Sequence, residues 1–241
     1  MSVAEKSPIL VLYASQTGST EAAARNIADT ISSRYGRPAE CLWLDDFLES
    51  GYSADGDTRC MWTEVVVMCV SSYGVGQAPL GGQKFRAVAD AVIGGSEEKV
   101  DLSAVQYALL GLGDSSYTTF FENPKATDKI MEQCGATRIC GVGMGDANSD
   151  DPDQIEAIRI WTDDELVPAL DKILMGDNED LNTTRLERAR KDTLRVYQSM
   201  YPEAHESTAN DASKGIFFGL GKIVVAVGVA LTAIIMVVMQ R

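Results

Sequence analysis

Three short polar segments hold the residues best suited to binding a ligand. They read SQTGST, SSYGVG and GLGDSSY, and they occupy residues 15–20, 71–76 and 111–117. Each combines hydroxyl side chains with glycine, and two of them also hold a tyrosine. Hydroxyl groups and the backbone N–H groups near a glycine bind phosphate, whereas tyrosine rings stack on flat aromatic groups. Together the segments predict a site for a flat aromatic ligand that carries a phosphate.

Residues for other kinds of chemistry are scarce. The only histidine, His205, lies in a polar stretch, and the five cysteines form no CxxC pair. We therefore expect no histidine-based metal site or acid–base catalysis and no disulfide. The formal net charge of −14 argues against nucleic-acid binding, which needs clustered Lys and Arg.

Each polar segment lies at the end of a near-continuous apolar run, which is typical of a strand covered on both faces. The predicted strands are residues 9–15, 39–44 (the weakest), 64–72, 105–114 and 136–144. Helical patterns that end at Gly or Pro lie between them, at residues 20–35, 79–93, 122–134 and 153–173. This alternation predicts an α/β domain, a five-stranded parallel sheet with helices on both faces. In such sheets ligands bind at the carboxyl ends of the strands, where the three polar segments would meet.

The first segment alone is a modest signal. It lacks the GKS or GKT ending of a nucleoside triphosphatase loop and the GxGxxG of a dinucleotide fold. Ser19 or Thr20 would also be suitable simply as a cap for the following helix. The convergence of three such segments on one sheet edge favours the ligand site.

The order SQTGST, SSYGVG, GLGDSSY and GMGDAN resembles the flavodoxin family, most closely the FMN domain of diflavin reductases of the cytochrome reductase type. The resemblance covers about residues 8–175 and implies a flavodoxin-like fold with FMN as cofactor. Carried over by position, the implied FMN-binding residues are Ser15, Gln16, Thr17, Gly18, Ser19, Thr20, Ser71, Ser72, Tyr73, Gly74, Val75, Gly76, Leu112, Gly113, Asp114, Tyr117, Phe120 and Asp146.

The resemblance also implies roles for these residues. Residues 15–20 would hold the phosphate, Tyr73 and Tyr117 would sandwich the flavin ring, and Gly74 would lie near the flavin N5. Asp146 would close the site near the pyrimidine or ribityl group. Two departures bear on the redox potential: Val75 and its neighbours stand where family members commonly carry acidic residues, and Asp114 stands where the usual reductase has asparagine.

After residue 175 the composition changes. Residues 176–214 are polar, with a predicted helix at 182–201 that is locally basic. We interpret this region as a spacer, with a docking helix for a partner as the alternative. Residues 1–7 would be an N-terminal tail.

Residues 216–239 are apolar apart from Lys222 and would extend about 36 Å as a helix. We therefore expect a transmembrane tail anchor at 215–239, with residues 1–214 facing the cytosol. The endoplasmic reticulum and the mitochondrial outer membrane suit this span equally.

The function expected from these features is a membrane-anchored FMN protein that passes single electrons. Its donor would be a separate flavin/NADPH reductase, because we expect no nicotinamide domain in this chain. Its acceptor would be a haem or iron–sulfur protein. Two alternatives stay open at this point: a flavin-free flavodoxin-like membrane adaptor, and an FMN-dependent quinone reductase.

Overall fold

A parallel sheet forms the centre of the protein. The computed structural model describes residues 8–50, 62–95, 99–175 and 183–202. Its strands are β1 (Ile9–Ala14), β2 (Ala39–Trp43), β3 (Val65–Ser71), β4 (Gln106–Gly113), β5 (Thr137–Arg138) and β6 (Gly143–Asp146). The order is β2-β1-β3-β4-β5, and β6 also pairs with β4, so that β5 and β6 share the fifth position. The predicted five-stranded parallel sheet is thereby confirmed, with its last position divided in two.

Helices cover both faces of the sheet. They are α1 (Ser19–Tyr35), α2 (Leu44–Ser50), α3 (Gln83–Ile93), α4 (Glu122–Gln133), α5 (Gln154–Trp161), α6 (Val167–Leu174) and α7 (Thr183–Met200). In β1, the side chains of Ile9, Val11 and Tyr13 belong to one apolar cluster, together with α1 and α6. The alternate side chains, from Leu10 to Ala14, belong to a second cluster with α2, α3, α4 and α7. All six residues of β1 are buried because each face of the strand has its own layer of helices.

The register of the strands brings the polar segments to one edge. Ala14 lies beside Val70, and Val70 lies beside Gly111. The next residues along the chain, Ser15, Ser71 and Leu112, therefore emerge from the sheet at the same level. This edge holds the candidate site.

The continuous strand predicted at 136–144 is wrong. The chain leaves the sheet between Arg138 and Gly143. In that gap the indole N–H of Trp161 donates a hydrogen bond of 2.8 Å to the carbonyl oxygen of Gly141. Since this carbonyl is paired with a side chain, the ladder with β4 is interrupted there.

The helix predicted at 153–173 is interrupted as well. A π-helical turn, Thr162–Leu166, separates α5 from α6. Pro168 lies in the first turn of α6. A proline has no N–H to donate to the preceding turn, and a widened turn before it accommodates that loss.

Helix α7 corrects the interpretation of residues 176–214 as a spacer. The predicted helix exists, but one face of it is buried in the second apolar cluster through Leu186, Ala189, Val196 and Tyr197. The indole N–H of Trp62 donates a buried hydrogen bond of 2.8 Å to Oγ1 of Thr193. The spacer interpretation is therefore wrong for Thr183–Met200, which is part of the folded domain.

Within the part of the chain that the structure describes, no helix is long and apolar enough to cross a membrane. The transmembrane span that we predict at 215–239 lies outside the described residues, as do the N-terminal tail and the rest of the predicted linker.

Candidate functional site

The three polar segments meet around one cavity of about 440 Å³. This volume lies within the roughly 300–1,000 Å³ that is usual for small-molecule sites. Thirteen of the predicted site residues line it: Gln16, Thr17, Ser19, Thr20, Ser71, Ser72, Tyr73, Gly74, Leu112, Gly113, Asp114, Tyr117 and Phe120. The cavity lies at the carboxyl ends of β1, β3 and β4, where a parallel sheet binds its ligands.

The loop after β1 prepares one end of the cavity for an anion. Gly18 has a left-handed backbone with φ of 95°, and its N–H donates a hydrogen bond of 3.0 Å to Oγ of the buried Ser15. This turn aims the start of α1 at the cavity, and no side chain caps that start through the N-cap position. The first N–H groups of a helix and its dipole attract negative charge. The hydroxyls of Thr17 and Ser19, which line the cavity, add further donors.

The loop after β3 is a tight reversal. Tyr73 and Gln77 exchange two backbone hydrogen bonds, of 3.0 and 2.8 Å. Between them Gly74 has a φ of 55°, which favours glycine. A Cβ at Gly74 would also lie 2.9 Å from Oε1 of Gln77. The loop thus presents Tyr73 and the Gly74 peptide to the cavity.

Asn123 fixes this loop to the start of α4. Its side-chain amide donates a hydrogen bond of 3.0 Å to the carbonyl of Ser71, and its backbone N–H donates to Oγ of Ser72 at 3.1 Å. Asn123 is buried. Its two hydrogen bonds explain why both serines have a defined place at the cavity wall.

The loop after β4 contains a strained residue. Phe121 has a φ of 66°, uncommon for a side chain of this size, and it is buried. Its ring occupies the space above Gly111, where a Cβ would lie 2.3 Å from Cζ of Phe121. The small residue in β4 therefore lets the loop close down on the sheet, which places Thr119 and Phe120 in the cavity wall.

Asp146 lies beside the cavity rather than in its lining. One carboxylate oxygen, Oδ1, accepts hydrogen bonds from the backbone N–H groups of Ser115, at 2.9 Å, and Asn148, at 3.0 Å. Hydrogen bonds from Ser115 and Asn148 hold the pKa of Asp146 below its ordinary value. The residue joins the end of β6 to the loop after β4.

Four other predicted residues also surround the cavity without lining it. They are Ser15, Gly18, Val75 and Gly76, all within the loops whose neighbouring residues do line it. Ser15 is buried beneath its loop, whereas Val75 is 78% exposed. The structure thus separates residues that shape the loops from residues that face the cavity.

Sequence reasoning missed three lining residues, Thr119, Ala147 and Gln154. Gln154 begins α5, and its amide donates hydrogen bonds to the carbonyls of Gly113, at 3.3 Å, and Gly145, at 3.1 Å. No motif marks Gln154, whereas Ala147 lies within GMGDAN, next to Asp146. Thr119 lies two residues after Tyr117, so extending the third segment by two positions would have included it.

Two aromatic side chains at the cavity are unusually exposed: Tyr73 by 50% and Tyr117 by 64%. Their rings offer apolar faces to a ligand, and burying such a face is favourable. An anion-binding helix start and two exposed tyrosines on one cavity suit a flat aromatic phosphate.

Other reactive groups in the described residues lie away from this chemistry. No group of His, Cys, Asp and Glu there could hold a metal ion. The four described cysteines are free, and burial raises the pKa of the Cys69 thiol far above its ordinary value. A buried thiol of this kind is not a nucleophile at neutral pH.

Comparisons with known proteins point to one family. Residues 11–161 match the flavodoxin family. The chain is 33% identical over 158 residues to pyruvate dehydrogenase (NADP+) from Cryptosporidium parvum, which is 65% of this chain and 8% of that protein. It is 36% identical over 138 residues to NADPH-dependent diflavin oxidoreductase 1 from Arabidopsis thaliana, which is 57% of this chain and 20% of that protein. The chain thus spans a fifth or less of these curated relatives.

A solved structure agrees on the fold. A flavodoxin mutant from Pseudomonas aeruginosa superimposes with a TM-score of 0.51 at 20% identity, over 68% of this chain and 98% of that one.

Proposed function

The chain belongs to the flavodoxin family, and on that premise we propose that it passes single electrons from a separate reductase to a haem or iron–sulfur acceptor. Its cofactor is FMN, which members of this family bind. FMN supplies the redox chemistry, because its ring takes up and releases electrons one at a time or in pairs. The protein binds the cofactor, orients it and limits its contact with water.

One observation carries the assignment. The same cavity joins a helix start without a side-chain cap to two exposed tyrosines. A phosphate fits the first feature, where the N–H groups after Gly18 and the hydroxyls of Thr17 and Ser19 would hold it. A flat ring fits the second, where Tyr73 and Tyr117 would stack on it.

The remaining residues of the wall position the ring. Leu112, Gly113 and Asp114 continue β4 into the cavity, and Gln154 holds the carbonyls of Gly113 and Gly145 in place. None of these residues has to donate or accept a proton for an electron to leave. A ring held between Tyr73 and Tyr117 would lie at the edge of the sheet where the loops after β3 and β4 meet, within reach of a partner.

The donor in this proposal is a separate flavin/NADPH reductase. The matching oxidoreductase from Arabidopsis thaliana carries NADPH dependence in its name, and the region that it shares with this chain is a fifth of its length. A nicotinamide-dependent flavoprotein that delivers electrons to this domain is consistent with that relationship.

We further propose that residues 215–239 anchor the domain in the endoplasmic reticulum or the mitochondrial outer membrane, with the FMN site facing the cytosol. Support comes from the composition of residues 216–239, in which Lys222 is the only charged residue. A helix of this length, about 36 Å, matches a bilayer with some tilt, and a lysine near one end reaches the interface. An acceptor in the same membrane would then meet the domain at a raised effective concentration.

Rapid mixing tests the electron-transfer proposal. The full chain, loaded with FMN in detergent micelles, is photoreduced without oxygen and mixed with ferric cytochrome c as a one-electron acceptor. We expect each reduced flavin to reduce two haems. If the reduced flavin fails to react with the haem, the electron-transfer proposal is wrong. If the protein alone oxidises NADPH with a quinone as acceptor, the proposal is also wrong and a quinone reductase is the better account.

Flotation tests the anchor. The full chain, added to neutral phosphatidylcholine vesicles, should float with them in high salt and at alkaline pH. A variant with Val225→Lys and Ile234→Lys should stay in solution. If the unmodified chain stays in solution too, the anchor is refuted while the FMN site is unaffected.

A further inference from the structure

A side chain that the sequence did not single out controls one backbone carbonyl of the site. The hydroxyl of Thr119 donates a hydrogen bond of 3.0 Å to the carbonyl oxygen of Gly74. Both residues line the cavity. The contact joins the loop after β3 to the loop after β4.

Asn123 holds Ser71 and Ser72, and the residues beyond them are held by backbone hydrogen bonds within the loop. Tyr73 and Gln77 pair with each other, and the N–H of Gly76 donates to the carbonyl of Tyr73 at 3.1 Å. Among the described contacts, the carbonyl of Gly74 is held by Thr119. Gly74 has no Cβ and a φ of 55°, so the peptide that it forms with Val75 can rotate at lower cost than a peptide that follows a residue with a side chain.

Reduction of the cofactor changes what this carbonyl can bind. An oxidised flavin ring presents ring nitrogens that accept hydrogen bonds, whereas reduction with proton uptake turns a ring nitrogen into an N–H donor. A backbone carbonyl in the cavity wall is a suitable acceptor for such a donor. The hydroxyl of Thr119 already donates to this oxygen and so fixes the direction in which the carbonyl points.

We propose that Thr119 is a positioning residue that sets the potential of the first electron by retaining the Gly74 carbonyl. This inference rests on the proposed FMN function. Beside the oxidised cofactor, the carbonyl of Gly74 would stay hydrogen-bonded to the hydroxyl of Thr119. If the bound cofactor gained an electron and a proton, the carbonyl would have to turn away from the direction that Thr119 fixes in order to meet the new donor, and losing that hydrogen bond would oppose the reduction.

Two substitutions isolate the hydroxyl. Thr119→Val keeps the shape of the side chain and removes the donor, whereas Thr119→Ser keeps the donor. Thr118→Val, at the exposed neighbouring position, is the control for a change of polarity in the same turn. The measurement is a spectroelectrochemical titration of the FMN-loaded full chain that resolves the two successive one-electron potentials.

For Thr119→Val we expect the first reduction to become about fivefold more favourable, which is the worth of one net hydrogen bond. This corresponds to about 41 mV at 59 mV for each tenfold change. Thr119→Ser and Thr118→Val should keep the unmodified potentials, and the affinity for oxidised FMN should change by less than about threefold in all variants. An unchanged first potential in Thr119→Val overturns the proposal.

A second measurement needs no cofactor. The amide N–H of Val75 belongs to the same rigid peptide plane as the carbonyl of Gly74. In the flavin-free protein, the NMR resonance of this amide should shift and broaden in Thr119→Val and stay in place in Thr119→Ser. A resonance that stays in place in both variants contradicts the proposal even if Thr119→Val binds FMN poorly. If the unmodified chain binds no FMN, the proposed function itself fails, and the titration reports that separately.

Discussion

The backbone N–H of Gly18 donates a hydrogen bond of 3.0 Å to Oγ of Ser15, which closes the loop between β1 and α1 on itself. Gly18 itself has a left-handed backbone with φ of 95°. This conformation turns the start of α1 toward the cavity. The anion end of the site therefore depends on a glycine as much as on the hydroxyls around it.

Gly18→Ala should weaken FMN binding about five- to thirtyfold. A Cβ at this position meets no protein atom within 4 Å, so the cost comes from the backbone conformation, about 1–2 kcal/mol. The flavin-free loop can relax this strain, whereas the FMN-bound loop has to keep it. The dissociation constant follows from the quenching of FMN fluorescence on titration.

Gly36→Ala is the matched control for that change. Gly36 ends the same helix with a φ of 56°, and a Cβ added there would likewise meet no protein atom within 4 Å. The substitution should lower the melting temperature without changing FMN affinity. Equal loss of FMN affinity in both variants would show that general destabilisation, not the geometry of the loop, is responsible.

Val75→Glu should lower both flavin potentials by on the order of 20–40 mV at low salt. Val75 is exposed beside the cavity, so a carboxylate there remains in solvent and opposes the addition of an electron to the ring. The shift should shrink in 0.5 M salt, because exposed charges are screened. Met175→Glu, an exposed position just after α6, is the control and should leave the potentials unchanged. Identical potentials in Val75→Glu and the unmodified protein would place Val75 too far from the ring to matter.

Asp146→Asn should make stability less sensitive to acid. The folded-state pKa of Asp146 lies below its ordinary value of 3.8 because of hydrogen bonds from Ser115 and Asn148. Its contribution to stability is therefore present above pH 3.8 and is lost as the pH falls through the lowered folded value. Asparagine keeps an acceptor oxygen for both N–H groups but does not titrate. Melting temperatures between pH 2.5 and 5 should fall less steeply in the variant, and parallel curves would refute this role.

Thr193→Val should destabilise the protein by about 1–3 kcal/mol. The change leaves the buried indole N–H of Trp62 without its acceptor on α7. Thr193→Ser retains the hydroxyl and should cost much less. Urea unfolding of the full chain measures both. If both variants were as stable as the unmodified chain, the packing of α7 would contribute far less to the stability of the domain than its buried face indicates.

The sequence was sufficient to predict the order of the parallel sheet's main strands and which polar segments meet at its edge. The runs that form β1, β3 and β4 are long, apolar and followed at once by polar residues, so the burial and the direction of these strands could both be predicted. Parallel strands put their carboxyl ends on one edge, which brought Ser15, Ser71 and Leu112 together without any knowledge of packing.

What the sequence did not predict depends on contacts between distant segments. The pairing of Trp161 with the carbonyl of Gly141 divides the fifth strand, and a local pattern cannot show it. The apolar residues of α7 that share a face, among them Leu186 and Tyr197, could be found in the sequence, but the charged residues of the helix favoured a solvated spacer over a packed helix. The proposed role of Thr119 depends on its hydrogen bond to the carbonyl of Gly74, which is 45 residues away along the chain, so a local pattern could not predict it.

The central claim is that the cavity holds FMN. The most direct measurement is the absorption spectrum and flavin content of the purified full chain, compared with a variant that carries both Gly18→Ala and Tyr117→Ala. We predict one FMN for each unmodified chain, with a yellow protein that can be reduced in two separate one-electron steps, and a variant that loses most of its flavin on dialysis. A colourless unmodified chain that stays empty when offered FMN would contradict the account and leave a flavodoxin-like interaction domain in its place.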